Sequence, residues 1–332
     1  MLEMRVCLPI EVRAMGGMYT FVENFLTYLD RKGVQVSQSI SESHDVLFVN
    51  SWIVSYDWIH QVKYNYPNVR VVQRVDGSAQ DYGRFDDADA KQAKVNLLAD
   101  LTIFQSNYSK HSSREKFRVI HQDGPVIYNP VDTEIFRPDG DQMPLPGSMR
   151  VCNVSWSTNI KKGTWQIGKI ARENPDINFV LCGRYNALPD LPNICTLGHM
   201  DRAGIASALR SCQIFLNLSE NDPCPNVVIE ALASGLPVLY KDSGGVHELV
   251  GDCGVAITPE TFRYGLDKLR RSHTLLSRQA RDRALKHFSP DIIFPQYLDA
   301  MAASQPRDLP RFWDKLKLRV KGFPVLSPQT IL

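Results

Sequence analysis

Short apolar runs, separated by polar loops marked with glycine and proline, recur along the first 300 residues. Arg5–Pro9, Val46–Asn50, Val69–Val72, Leu101–Phe104 and Pro125–Tyr128 read as strands, apolar almost throughout rather than alternating. Such runs suit strands of a parallel sheet covered on both faces. Met18 to Arg31 instead carries Phe21, Val22, Phe25, Leu26 and Leu29 at helical spacing. The strand pattern restarts at Arg150–Ser155 and continues through Phe179–Cys182, Ile194–Leu197, Gln213–Leu218 and Pro237–Tyr240. Between the two stretches, Pro138 to Gly147 is rich in proline and glycine and reads as a linker. Strands alternating with helices specify α/β architecture. The expectation is therefore two doubly wound domains, 1–145 and 146–290, followed by a terminal stretch, 291–332, that opens with a helix over 290–303.

Composition narrows the picture. A chain of 332 residues exceeds what one core usually fills, and 43% apolar with 22% charged residues is ordinary for a globular protein. A net charge of +2 predicts no nucleic-acid partner for the molecule as a whole. Seven cysteines, odd in number and without a CxxC pair, argue for a reducing compartment and against a disulfide framework or zinc site. No run of eighteen apolar residues and no signal-peptide core stand out, so a cytoplasmic chain that does not span a membrane is expected.

One carboxylate breaks the apolar pattern. In Pro225-Asn-Val-Val-Ile-Glu230-Ala-Leu-Ala-Ser-Gly235-Leu-Pro237, proline opens and glycine closes a short helix in which Glu230 has apolar neighbours on both sides. A buried carboxylate is costly unless donors satisfy it. Protein donors are one solution. A pair of vicinal sugar hydroxyls is the other, since a carboxylate only accepts and can take both at once. The strand 213–218 and the loop Ser219-Glu-Asn-Asp222-Pro-Cys-Pro lead directly into this helix. A strand, a sharp loop and a helix N-terminus form a ready cradle for phosphate. Asp242-Ser-Gly-Gly245, after the next strand, opens a second such helix carrying Glu248.

Asp222 and Glu230 with seven residues between them, the following Ala231-Leu-Ala-Ser-Gly-Leu-Pro237, and Ser243-Gly-Gly-Val-His-Glu248 together resemble the family-4 (GT4) retaining glycosyltransferases of the GT-B fold. The family signature has glutamate at both acidic positions; here the first is Asp222. The resemblance runs from Gly16-Gly17 to about Tyr297. It implies two Rossmann-like domains facing a central cleft, with the C-terminal helix crossing back to the first domain. It also implies transfer of a sugar from a nucleotide-diphosphate sugar, a UDP- or GDP-sugar foremost, with retention and without cofactor or metal. The acceptor would be a glycan or lipid-linked sugar in cell-surface polysaccharide assembly. A nucleotide-sugar epimerase or phosphorylase on the same fold, and a catalytically silent sugar-nucleotide-binding protein, are the alternatives.

Residue by residue, the resemblance assigns Asp222 to the donor sugar, Glu230 to the ribose, and Gly16, Gly17 and the amides of Asn226 and Val227 to the diphosphate. Gly16-Gly17 alone marks only a tight turn, and it does not match GxGxxG. Lys162, in Asn159-Ile-Lys161-Lys162-Gly163, holds the place of the lysine that neutralises the leaving group; on residue grounds alone it is equally a solvated surface lysine. Ser157 stands where the family carries arginine, and Lys161 or Arg184 is the substitute cation. Asp76, in Arg74-Val-Asp76-Gly77, occupies the place of the family's cleft histidine; pairing with Arg74 is the alternative. Arg74 and Ser106 are placed at the cleft border, with a helix N-cap as the plain reading of Ser106. Between 307 and 321, Arg307, Arg311, Lys315, Lys317, Arg319 and Lys321 interleave with apolar residues. That segment either lies on an anionic membrane surface, making the protein peripheral on its inner face, or packs on the first domain.

Overall fold

The computed structural model describes residues 4–10, 17–116, 119, 124–186 and 188–308. Gly16 and most of the 307–321 segment lie outside the described residues. The first half builds β1 (Arg5–Cys7), α1 (Gly17–Arg31), β2 (Gln35–Ser37), β3 (Val46–Asn50) and α2 (Tyr56–Asn65). It continues with β4 (Arg70–Arg74), α3 (Ala88–Asn96), β5 (Leu101–Ile103) and α4 (Asn107–Glu115). Its sheet is parallel throughout, in the order β2-β1-β3-β4-β5. The near-continuous apolar runs are explained by that position, since all five residues of β3 are buried.

The second half contributes β6 (Arg150–Ser155), α5 (Ile167–Glu173), β7 (Asn178–Gly183), β8 (Ile194–Gly198), α6 (Arg202–Arg210) and β9 (Ile214–Asn217). After these come α7 (Asn226–Ala233), β10 (Val238–Tyr240), α8 (Val246–Val250), β11 (Gly254–Ala256), α9 (Phe262–Arg271) and α10 (His273–Phe288). This sheet is also parallel, in the order β11-β10-β9-β6-β7-β8. Strand order reverses at β6, which lies between β9 and β7. In open α/β sheets the crevice beyond such a reversal is where ligands bind.

Two expectations change in detail. Pro125–Tyr128 forms only a single parallel bridge, Val126 to Phe104, because the chain leaves the sheet edge at Asn129. The chain passes into the second half there, ahead of the proline-rich segment: Val131 and Phe136 are already buried in the second core. Segment 138–147 lies along the second half, with Met143 N donating to Ser211 Oγ at 2.7 Å. The strand β2 has no clear signal in sequence, being three half-exposed residues at an edge.

The return crossing is α11 (Pro290–Ala303), which leaves the second half and packs on the first. Its Ile293, Phe294, Tyr297 and Met301 are buried in the core formed by α1 and the first sheet. Phe294 stacks on Phe25 with ring centroids 5.0 Å apart and meets Phe21 edge-on at 5.9 Å. Aromatic packing of this kind contributes both area and geometry. Phe294→Ala should therefore destabilise the protein by about 3–5 kcal/mol in chemical denaturation, as expected for a cavity left by a fully buried ring.

Candidate active site

Parallel strand ends position the loops. The loop after β6 carries Lys162 and the loop after β9 carries Asp222, so the adjacency of those strands brings the two together across the reversal point. Lys162 Nζ lies 2.7 Å from Asp222 Oδ2, and both side chains are largely buried. Cys224 N donates to the other oxygen, Asp222 Oδ1, at 3.3 Å. The loop is pinned from behind by the Asp242–Gly245 turn: Gly245 N donates to Asp222 O at 2.9 Å, and Ser243 Oγ accepts from Asn221 N at 2.9 Å. Asn221 takes the left-handed conformation (φ 57°) to make this bend.

Lys161 and Glu220 are occupied elsewhere. Glu220 accepts from Lys161 Nζ at 2.7 Å and from Lys241 Nζ at 2.5 Å. Those hydrogen bonds, Lys161 first, hold its carboxyl below the ordinary range. Lys161 is thus paired with Glu220. Arg184 has an exposed side chain, and its backbone N donates to Ser155 O at 2.7 Å. Neither substitute cation is bonded at the Lys162–Asp222 pair.

The first half supplies the facing wall. Gly77 follows Asp76, and a Cβ added there would sit 3.1 Å from Pro223 Cγ and 2.9 Å from Tyr82 Cε2. Only glycine lets this loop approach the Asp222 loop so closely. Asn221 Nδ2 donates to Asp81 O at 3.2 Å and Asn159 Nδ2 to Tyr82 O at 3.0 Å, tying the two loops across the halves. Asp76 Oδ1 accepts from Gln105 Nε2 and from Gly77 N, each at 3.0 Å. Tyr82, invisible as a site residue in the sequence, turns its ring to Lys162 Nζ at 5.7 Å. Burial and the Asp222 carboxylate push its phenol well up.

Two residues expected at the cleft border are buried. Arg74 is 1% exposed and makes no contact with Asp76; it donates to Asn50 Oδ1 (2.8 Å), Asn129 Oδ1 (2.5 Å) and Tyr297 Oη (3.2 Å), with Phe21 under its plane at 4.0 Å. With three of its five N–H donors spent on these oxygens, the enclosed guanidinium is held away from solvent. Ser106 is fully buried and caps α4, its Oγ accepting from Ser109 N at 2.9 Å. Glu248, from the second half, accepts from Asn107 N, Asn107 Nδ2 and Tyr108 N at 2.8 Å each. A carboxylate on the orphan amides of a helix N-terminus is a favourable match.

Gly17 and α7 face each other. A Cβ on Gly17 would lie 3.3 Å from Asn226 Nδ2, so the N-termini of α1 and α7 converge on one spot. Val227, the second residue of α7, is half-buried beside them. One turn further along α7, Glu230 is partly exposed, while Val228, Ile229, Ala231, Leu232 and Ala233 are buried. Among the described residues, no hydrogen bond or ion pair reaches its carboxylate. Burial pushes its pKa up to about 7, against the opposing pull of the Arg202 guanidinium. Among the described residues, then, no donor makes Glu230 a structural residue.

Among the described residues, no group of three or more His, Cys, Asp or Glu side chains is disposed to hold a metal, and no helix is long and apolar enough to cross a membrane. All seven cysteines are free thiols.

A family model matches this same region, and relatives and solved structures match larger parts of the chain. Residues 155–271, which include Lys162, Asp222, Glu230 and Glu248, match the family described as Glycosyl transferases group 1. The chain is 26% identical over 237 residues to a GDP-mannose-dependent alpha-mannosyltransferase of Mycolicibacterium smegmatis, covering 64% of this chain and 60% of that protein. A second GDP-mannose-dependent alpha-mannosyltransferase, from Mycobacterium tuberculosis, is 27% identical over 221 residues, covering 60% and 55%. The chain thus spans less than two thirds of the length of these curated relatives. Among solved structures, Anabaena HepE in complex with UDP and glucose superposes with a TM-score of 0.69 at 14% identity, covering 90% of this chain and 100% of that one. Sucrose-phosphate synthase from Thermosynechococcus elongatus follows at 0.65 and 17%, covering 86% and 79%. The chain has the two-sheet α/β fold of the GT-B glycosyltransferases, and residues 155–271 of its second half are similar to the group 1 glycosyltransferases.

Glu230 makes the site sensitive to pH. Its folded pKa of about 7 lies above the ordinary value of 4.5. The stability it contributes is fully present below about pH 4.5 and is lost as pH rises through 7. Thermal unfolding of the ligand-free protein should show that loss between pH 5 and 8, and Glu230→Gln should remove this component; an identical pH profile in the variant would count against the shifted carboxyl.

Proposed function

We propose that the protein is a retaining glycosyltransferase that moves a sugar from a UDP- or GDP-sugar to a glycan or lipid-linked acceptor, without a metal ion. The observation that carries this reading is the carboxylate of Glu230, set among buried neighbours and without a hydrogen-bond or ion-pair partner among the described residues. Vicinal ribose hydroxyls donate two hydrogen bonds to such a group and favour its charged form. The convergent N-termini of α1 and α7, with Gly17 and the amides of Asn226 and Val227, suit the diphosphate. The printed substrates of the relatives, GDP-mannose for the mycobacterial enzymes and UDP with glucose for HepE, support a nucleotide sugar as donor.

Lys162 and Asp222 divide the chemistry. As the bond from the anomeric carbon to the phosphate oxygen breaks, negative charge builds on the leaving diphosphate and the Lys162 ammonium neutralises it. The acceptor oxygen bonds to that carbon on the same face, and its proton passes to the departing phosphate oxygen. Asp222 holds hydroxyls of the donor sugar, and Asp76, fixed by Gln105, borders the acceptor side. No dedicated protein base enters this scheme. Seven free thiols fit work in the cytoplasm, and the basic 307–321 segment, largely outside the described residues, is assigned to the inner membrane surface where lipid-linked acceptors are found.

A thermal-shift screen against UDP-, GDP-, ADP- and TDP-sugars should single out one nucleotide, since a ligand that binds only the folded state stabilises it. Glu230→Ala should abolish that shift with the fold intact. Binding should also release protons and tighten as pH rises through 7, because the ribose selects the ionised carboxylate. With the donor so identified, Lys162→Ala should lower turnover by about 10²–10³-fold while changing donor affinity far less. Equal losses in both, or a product of inverted anomeric configuration by NMR, would reject the mechanism.

A further inference from the structure

The hydrogen bonds of Arg74 form a directed chain that reaches the cleft. A guanidinium only donates, so each group it bonds must present oxygen. Asn129 presents Oδ1 to Arg74 Nη2 at 2.5 Å, which turns its amide nitrogen the other way. That nitrogen donates to Cys224 O at 3.2 Å, a backbone carbonyl that can only accept, so the orientation is fixed twice over. Its two hydrogens are shared between that carbonyl, Asn226 Oδ1 at 2.7 Å and Gln105 Oε1 at 3.2 Å. Two branches follow. Through Gln105 Nε2, one ends 3.0 Å from the anionic Asp76 Oδ1. The other ends on Asn226, whose oxygen is taken by Asn129 and whose Nδ2 therefore faces outward, toward the start of α1 at Gly17. Among the described residues nothing accepts from that nitrogen.

We propose that Arg74 is a positioning residue for the donor's diphosphate: its charge, passed through Asn129, orients and polarises the Asn226 amide to meet a phosphate oxygen between α1 and α7. Hydrogen bonds in series polarise one another, and a donor backed by a cation is stronger than a neutral amide. Among the described residues no carboxylate contacts the buried Arg74, so an anion at the open end of the chain offsets part of its desolvation cost. This inference rests on the reading of the cleft as a nucleoside-diphosphate-sugar site.

A double-mutant cycle tests it. Asn129→Asp keeps an oxygen on Arg74 but cannot donate to Asn226; Asn226→Ala removes the terminal donor. Affinities of UDP and GDP, and of uridine and guanosine, are measured by calorimetry for the wild type, both single variants and the double variant. Each single variant should weaken the preferred diphosphate about tenfold and leave the matching nucleoside within about twofold, the double variant being no weaker than the poorer single. Additive losses would mean that the introduced carboxylate acts by plain charge repulsion and would overturn the relay, as would equal losses for nucleotide and nucleoside. Asn129→Ser, which breaks the chain without adding charge, is held to the same cycle should the aspartate variant not fold. A wild type that binds neither diphosphate sinks the underlying reading of the cleft, whereas binding with additive losses sinks the relay alone.

Discussion

One buried guanidinium holds the two halves of this protein in register. Arg74 sits at the C-terminal end of β4, at the point where the chain both leaves the first half and returns to it. Asn129, its partner at 2.5 Å, belongs to the outgoing crossing, and Tyr297, its partner at 3.2 Å, belongs to the returning helix α11. A cation in such a place is tolerated because three neutral oxygens and the face of Phe21 replace its hydration. Removing any of those oxygens would leave charge uncompensated in a dry setting, so the geometry of both crossings is coupled to a single side chain.

From that anchor the cleft inherits its shape. Asn129 bonds Cys224 O and Asn226, which places the Asp222 loop and the start of α7 against the first half. Glu248 makes a second tie, on the amides that open α4, and Gly77 permits the close approach of the third. The charged groups are then sorted by position. Glu220 is neutralised by two lysines at the rim, Asp222 is matched to Lys162 at the strand reversal, and Glu230, on the wall of α7, has no partner among the described residues. An unsatisfied carboxylate beside convergent helix N-termini is a costly arrangement for an empty protein and a favourable one for a ligand that is anionic at one end and rich in hydroxyls at the other.

Much of this was legible in the residues. Apolar runs without alternation marked parallel strands, and they are parallel in both sheets. The proline and glycine flanking 226–233 bounded α7, with Gly235 adopting the positive φ (79°) that its position at the helix end requires. Glu230 stood out because a lone acid in an apolar helix needs an explanation, and Lys162 and Asp222 through the family resemblance of the segments that carry them. The burial of two cleft candidates was not legible, for one reason. Arg74 and Ser106 also follow strands, but being at a strand end does not say whether a side chain turns to the crevice or inward; Ser106 caps a helix and Arg74 is enclosed by α1 and α11.

The sequence alone determined the local chemistry: which segments are strands, where α7 begins and ends, and that its carboxylate is out of place. These follow from spacing, turn residues and the cost of burying charge, all of which act over a few positions. Only the tertiary structure decided who meets whom. Strand order put Lys162 beside Asp222, though sixty residues separate them. The folding back of α11 turned Arg74 from a cleft residue into a buried anchor. Pairings of this kind depend on the order of strands and the packing of distant helices, and no periodicity along the chain encodes them.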